Sequence, residues 1–103
     1  MNIVEKYGGT SVGTIEQIQA IALHAKHMKE QGHNLVIVAS AMGKTTNKLI
    51  ELAHSVTNNP NKRELDSLLS TGEQQTITLL AIAMNALGVD AISLTGYQAG
   101  FSY

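Results

Sequence analysis

Five consecutive aliphatic residues, from Leu35 to Ala39, restrict the fold of this chain more than any other feature. The run has the length of a β-strand and is far too short to cross a bilayer. Because its side chains are apolar on both faces, it is typical of a buried strand in a parallel sheet that helices cover on either side. The sequence therefore predicts a strand there, ended by the small residues 40–43.

Amphipathic segments surround this strand and predict the order of elements. Residues 14–31 have helical apolar spacing, with a capping box between Thr14 and Gln17 and a terminal glycine at Gly32. A second helix is expected over residues 44–56. A short helix around residues 65–69, interrupted at residues 70–72, is expected to precede a longer helix that ends at Gly88. With further strands at residues 2–7 and 89–94, the order is β-α-β-α-α-α-β.

Strands joined by helical crossovers pair in parallel, with right-handed connections. We therefore predict an α/β fold, a three-layer αβα sandwich with a mainly parallel sheet. The aromatic content of 4% also disfavours a β-sandwich or barrel. The chain has 103 residues, enough for one domain, and three strands are few for such a sheet. We therefore expect the 103 residues to be a fragment of a larger fold, whose remaining part would supply further strands.

Composition excludes several classes of function. The net charge of -1 gives no electrostatic signal for nucleic acid, and no apolar run is long enough for a membrane. The chain has no cysteine, so it has neither a disulfide nor a thiolate metal site. His24 and His27 have no acidic cluster beside them, and no metal site is predicted. Without a secretory signal at the N-terminus, a cytoplasmic protein is expected.

Small polar or glycine residues follow each predicted strand. They occupy residues 8–13, 40–43 and 95–100. Ligands of open parallel sheets bind beyond the carboxyl ends of the strands, where glycines let backbone N–H groups approach an anion. Lys6 lies at the end of the first strand and is the best single candidate for a phosphate contact, although it could also extend into solvent.

Two further sequence patterns do not by themselves indicate a ligand-binding site. Residues 43–45 spell Gly-Lys-Thr after a strand, but a P-loop needs a glycine at the position of Val38, so we set a P-loop aside. Glu73 follows Thr71 and Gly72 at the predicted start of a helix. A carboxylate at that position is commonly compensation for the helix dipole.

Four segments together resemble the aspartate kinases of the amino-acid-kinase family. These are K-Y-G-G-T-S at residues 6–11, V-A-S-A-M-G at 38–43, S-T-G-E-Q at 70–74 and T-G-Y-Q-A-G at 95–100. They resemble, in order, the family's K-F-G-G-T-S, V-V-S-A-M-G, [SA]-T-G-E-Q and T-G-[WY]-Q-A-G segments. Tyr7 replaces the usual Phe, and Ala39 a usual Val.

The resemblance implies a kinase that transfers the γ-phosphoryl group of ATP to the side-chain carboxylate of L-aspartate, with Mg²⁺ as cofactor. This is the first step towards lysine, threonine and methionine. The resemblance assigns ATP contacts and catalysis to Lys6, and it also places Tyr7, Gly8 and Gly9 at the ATP site. It implies that Thr46 and Glu73 hold the amino acid, with Ser40 nearby.

Further properties follow from the same resemblance. Residues 1–103 would be the N-terminal part of an amino-acid kinase catalytic domain, and no regulatory ACT domain is recognised in them. The complete enzyme is expected to be a homo-oligomer. Two alternatives stay open. One is another amino-acid kinase that phosphorylates a different carboxylate, and the other is a non-catalytic binding or assembly module of the same fold.

Overall fold

A computed structural model describes residues 1–92 of the chain. It contains two strands and three helices, namely β1 (Asn2–Tyr7), α1 (Ile15–Glu30), β2 (Asn34–Ala39), α2 (Gly43–Val56) and α3 (Lys62–Ala86). The predicted strands at residues 2–7 and 35–39 and the first two predicted helices are confirmed. The third predicted strand, residues 89–94, is not confirmed, since residues 89–92 belong to no strand and residues 93–94 lie outside the described residues. The predicted loop at 95–100 also lies outside them.

The two strands form a parallel pair, in register from Asn2 opposite Asn34 to Tyr7 opposite Ala39. Helix α1 connects them as the predicted crossover. Because the strands run in the same direction, their carboxyl ends lie at one edge of the sheet. The loops after Tyr7 and after Ala39 therefore start side by side.

Local signals explain the bounds of α1. The Thr14 hydroxyl accepts a hydrogen bond from the Gln17 backbone N–H, and the Gln17 side chain accepts one from the Thr14 N–H. This is the predicted capping box. The helix ends before Gly32, whose φ of 88° lies in the left-handed region that glycine adopts without steric cost.

The hydrophobic core lies between the sheet and a layer formed by α1 and α3. Those two helices pack against each other, and both contact β2. Val12, Ile18, Ala39 and Leu80 are buried there. Burial alternates along both strands, so every second side chain points into this core.

The opposite face of the sheet is exposed within residues 1–92. It presents Val4, Val36 and Val38, which are 63%, 52% and 37% exposed, and Lys6 shares the same strand phase. The sequence predicted helices on both faces of this sheet. Among the described residues, the helices cover one face only.

Helix α3 differs from its prediction. Residues 62–86 form one continuous helix, with no interruption at residues 70–72. The hydroxyls of Ser70 and Thr71 donate to the carbonyls of Ser67 and Leu68 in the same helix, so neither draws the backbone away from helical geometry. The predicted end is correct, since Gly88 follows the helix with a φ of 82°.

No helix among the described residues has both the length and the apolar character needed to cross a membrane.

Candidate functional site

Lys6 and Tyr7 occupy the last two positions of β1 and point to opposite faces of the sheet. The Lys6 side chain is on the exposed face, whereas that of Tyr7 is half-buried towards α1 and α3. Within residues 1–92 the one close contact between a basic side chain and a carboxylate joins His24 to Glu5, so the Lys6 ammonium has no carboxylate partner there. A cation at the end of a strand, without an internal partner, is available to an anion.

The loop after β1 contains Gly8 and Gly9 and is closed by a hydrogen bond of 3.0 Å from the Ser11 N–H to the Gly8 carbonyl. A Cβ atom on Gly8 would have no heavy atom within 4 Å, so the space beside this residue is open. A Cβ atom on Gly9 would lie 3.1 Å from the Ala41 carbonyl oxygen. Gly9 therefore lets the first loop lie directly against the second.

Ser40 begins the loop after β2. Its N–H donates a 3.0 Å hydrogen bond to the carbonyl of Tyr7, which extends the pairing of the strands by one step. The Ser40 side chain is exposed. Sequence reasoning placed Ser40 and the glycine loop at the same edge of the sheet, and the structure brings them together.

Thr46 lies in the first turn of α2 and is half-buried. Its neighbour Thr45 packs on α3, where a Cβ atom on Gly72 would lie 3.2 Å from Thr45 Cγ2 and 2.9 Å from Ala41 Cβ. This contact brings the loop after β2 and the start of α2 against the middle of α3.

Glu73 lies immediately after Gly72 and is exposed. The prediction that it starts a helix is wrong, because α3 begins at Lys62 and continues through Glu73 without a break. A carboxylate this far from the N-terminus gains little from the helix dipole, whose effect is confined to the first turn. Compensation of the helix dipole therefore does not explain the carboxylate at Glu73.

A hydrogen-bonded cluster that the sequence did not predict lies beside the site. Glu5 accepts a 2.9 Å hydrogen bond from the Tyr7 hydroxyl, and its other oxygen lies 2.9 Å from His24 Nε2. The signal available in the sequence was the two-residue spacing of Glu5 and Tyr7. In a strand this spacing places both side chains on the same face, opposite to that of Lys6.

These contacts change two pKa values. Burial alone would raise the pKa of Glu5, but hydrogen bonds from His24 and Tyr7, together with the charge of His24, outweigh it and lower that pKa. Burial and the neighbouring Glu5 carboxylate raise the pKa of Tyr7 to about 12. The cluster ties β1 to α1 just before the glycine loop.

The site as a whole has groups of opposite charge on separate elements. Lys6 and the Gly8–Gly9 loop provide a cation and an open glycine backbone, and Glu73 provides an exposed carboxylate on α3. Such an arrangement suits a ligand pair consisting of an anion and a cationic amine. Residues 1–92 contain no group of three or more His, Cys, Asp or Glu side chains that could hold a metal ion.

Comparison with known proteins identifies the class to which this fold and site belong. The family described as the amino acid kinase family matches residues 1–103. The chain belongs to the amino acid kinase family.

Curated relatives that match this chain include aspartate kinases. The chain is 54% identical over 98 residues to aspartokinase 2 of Bacillus subtilis, an alignment that covers 95% of this chain and 24% of the relative. It is 53% identical to aspartate kinase of Pseudomonas putida, over 93% of this chain and 23% of the relative. The chain thus spans about a quarter of the length of the curated relatives it matches.

A solved structure agrees with both findings. The crystal structure of aspartate kinase from Synechocystis superposes with a TM-score of 0.85 at 52% identity, covering 91% of this chain and 16% of that one. The predicted fold class, the N-terminal portion of an amino-acid-kinase-like α/β fold, is confirmed. So is the family resemblance drawn from the four sequence segments.

Proposed function

We propose that residues 1–103 are the N-terminal part of the catalytic domain of an aspartate kinase. The observation that supports this most directly is the convergence of three elements at one place. The Gly8–Gly9 loop contacts the loop after β2, and that loop contacts α3 beside Glu73. Lys6, Ser40, Thr46 and Glu73 therefore belong to adjoining segments.

The reaction in this proposal joins the aspartate side-chain carboxylate to the γ-phosphorus of ATP. A carboxylate oxygen forms the new P–O bond, the bond to the β-phosphate oxygen breaks, and ADP leaves with that electron pair. Aspartate is already ionised at neutral pH, so no side chain has to remove a proton. The obstacle is repulsion between the carboxylate and the triphosphate, and catalysis consists of positioning and neutralisation.

The first half of the site would hold the nucleotide. The Lys6 ammonium would neutralise phosphate oxygens, and the open backbone at Gly8 and Gly9, with Tyr7 preceding them, would let the chain approach those oxygens closely. Bound Mg²⁺ would supply further neutralisation of the phosphate charge. The absence of a carboxylate partner for Lys6 among residues 1–92 fits this role.

The second half of the site would hold aspartate. The exposed Glu73 carboxylate would pair with the α-ammonium group, and Thr46 and Ser40 would contact the amino acid from the neighbouring loop and helix. Glu73 is suited to this role because it lies on the middle of a long helix that packs against the β2–α2 loop. A side chain on such a helix is held more rigidly than one on a loop.

The proposal has consequences for the protein as a whole. It includes ATP and L-aspartate as substrates, a cytoplasmic location, a homo-oligomeric complete enzyme and the early common step of lysine, threonine and methionine synthesis. It involves neither nucleic acid nor a membrane. The names of the relatives support aspartate as the substrate, since relatives that share about half of their aligned residues with this chain are named aspartokinase or aspartate kinase.

The test is a coupled assay for ADP release by the complete kinase that contains this chain. The assay is run with ATP and Mg²⁺ and with aspartate, glutamate or N-acetylglutamate as acceptor, and hydroxylamine traps the acyl phosphate. We expect aspartyl hydroxamate, with kcat/KM for glutamate lower by about 10–200-fold because of its extra methylene. A preference for another acceptor would indicate a different amino-acid kinase. No acceptor-dependent ADP release would indicate a non-catalytic module.

A further inference from the structure

Ala41 lies between two glycines that belong to different elements. On one side is Gly9 of the loop after β1, where an added Cβ would lie 3.1 Å from the Ala41 carbonyl oxygen. On the other side is Gly72 of α3, where an added Cβ would lie 2.9 Å from Ala41 Cβ. Ala41 itself is 8% exposed. Three backbone segments therefore approach one another here more closely than side chains would permit.

The contact at Gly72 leaves little freedom to adjust. The Cβ atom of Ala41 is fixed to its backbone and cannot rotate away from an added methyl group. The next neighbours, Thr45 Cγ2 at 3.2 Å and Leu49 Cδ1 at 3.3 Å, are also tight. A glycine inside a helix is less stable than alanine, so its presence in the middle of α3 fits a steric requirement.

The contact at Gly9 is equally rigid, because the opposing atom is a backbone carbonyl oxygen. Other glycines near the site differ. An added Cβ on Gly8 or on Gly43 would have no heavy atom within 4 Å. Close approach is therefore a property of the two glycines that face Ala41, and not of the glycine loops in general.

We propose that Ala41 is a positioning residue that sets the spacing between the two halves of the site. Gly9 follows Gly8 in the nucleotide loop, and Gly72 precedes Glu73 on α3, so the row Gly9–Ala41–Gly72 fixes the distance from that loop to the Glu73 carboxylate. This inference rests on the proposed function. Phosphoryl transfer requires both reactants in line, and small displacements of one reactant are costly.

The row Gly9–Ala41–Gly72 predicts different effects for substitutions at Gly72 and at Ala41. A methyl group at Gly72 pushes α3, and with it Glu73, away from the loop after β2, while the contact with Gly9 is unchanged. A larger side chain at Ala41 would disturb both contacts. A purely structural role of these residues would lower stability without separating the two substrates.

The experiment compares four variants of the complete kinase with the wild type, namely Gly72→Ala, Ala41→Gly, the double variant Gly72→Ala/Ala41→Gly, and Ala41→Val. We expect Gly72→Ala to raise KM for aspartate about tenfold or more and KM for ATP less than about twofold. Ala41→Gly removes the opposing methyl, so the double variant should recover most of the aspartate KM. Ala41→Val should raise both KM values. Thr78→Ala, an exposed change on α3, is the control and should leave both unchanged.

Thermal unfolding of the same variants keeps the test decisive if a variant folds poorly. Gly72→Ala should lower Tm, and adding Ala41→Gly should restore most of that loss. A wild-type KM for aspartate in Gly72→Ala would overturn the proposal. So would a double variant whose aspartate KM and Tm are both no closer to the wild-type values than those of Gly72→Ala. If the wild type shows no aspartate-dependent ADP release, the proposed function fails. The unfolding data then decide separately whether Ala41 and Gly72 are in contact.

Discussion

Lys6 is the residue whose surroundings are simplest to interpret. It is exposed at the end of β1, next to the open space beside Gly8, and has no carboxylate partner within residues 1–92. We predict that Lys6→Ala lowers kcat of the complete kinase by about 10²–10³, the usual cost of losing one preorganised transition-state contact. KM for aspartate should change little. Steady-state kinetics measure both, with the exposed Lys29→Ala as control, and a wild-type kcat in Lys6→Ala would exclude Lys6 from catalysis.

Glu73 should affect the other substrate. We predict that Glu73→Gln raises KM for aspartate about ten- to hundredfold and KM for ATP much less, because a charged hydrogen bond is typically worth about 1.5–3 kcal/mol. The substitution preserves the shape of the side chain and the helix. Glu51→Gln, an exposed change on α2, is the matched control. Equal increases in both KM values would point to structural damage instead.

The Tyr7 hydroxyl makes stability depend on alkaline pH. Its pKa is raised from 10.0 to about 12, so the folded chain holds this proton more tightly than the unfolded chain. The stabilisation is present below pH 10 and is lost as the pH rises towards 12. We predict that between about pH 9 and about pH 11 the free energy of unfolding falls more in the wild type than in Tyr7→Phe, by at most about 1 kcal/mol after solvent screening.

Urea unfolding at the two pH values measures this difference. Glu5→Gln is an informative companion, because it removes the carboxylate that contributes to the shift and leaves the burial of Tyr7. It should lie between the wild type and Tyr7→Phe. Identical pH dependence in the wild type and Tyr7→Phe would contradict the prediction.

At the scale of elements, local sequence signals predicted α1 well and α3 badly. The capping box at Thr14 and the glycine at Gly32 are short-range features, and the structure contains both. Residues 70–72 have poor helix propensity, which predicted a break in α3. Packing of Gly72 against Ala41 overrides that propensity, and no local pattern reveals such a contact.

The capping box of α1 can be tested by itself. We predict that Thr14→Ala lowers the free energy of unfolding by about 1 kcal/mol, since it leaves the Gln17 N–H without its acceptor. The control is Thr10→Ala, an exposed threonine of the same loop whose backbone carbonyl, not its hydroxyl, accepts from Gln17 Nε2. Chemical denaturation of both variants gives the comparison. An equal loss in both would mean that the cap contributes nothing specific.

At the scale of the whole molecule, the parallel crossover and the edge of the sheet with the proposed site followed from the order of elements. The meeting of that edge with α3 did not, because residues 41 and 72 are far apart in sequence and their contact depends on tertiary packing. The pairing of Glu5 with His24 was missed for the same reason. Glu5 faces inward in β1, but the residue on α1 that it contacts cannot be read from the sequence.

The exposed face of the sheet leads to a final prediction. Val4 and Val36 are more than half exposed on the side where Lys6 lies, so within residues 1–92 the sheet has helices on one face only. We predict that the 103-residue chain by itself does not phosphorylate aspartate. It contains the glycine loop and Glu73, yet it spans only about a quarter of the curated aspartokinases it matches. Losing the alignment of the two reactants can forfeit about 7–11 kcal/mol of barrier reduction.

The measurement is ADP release by the purified 103-residue chain with ATP, Mg²⁺ and aspartate. The complete kinase serves as the positive control, and a Lys6→Ala version of the short chain reports any contaminating kinase. We expect turnover at the background of that variant, because the apolar sheet face that is exposed within residues 1–92 also favours association of the chain with itself over a rigid site. Aspartate-dependent turnover near the roughly 1–10³ s⁻¹ of ordinary enzymes would contradict this. It would mean that the loops around Ala41 suffice to align the nucleotide with its acceptor.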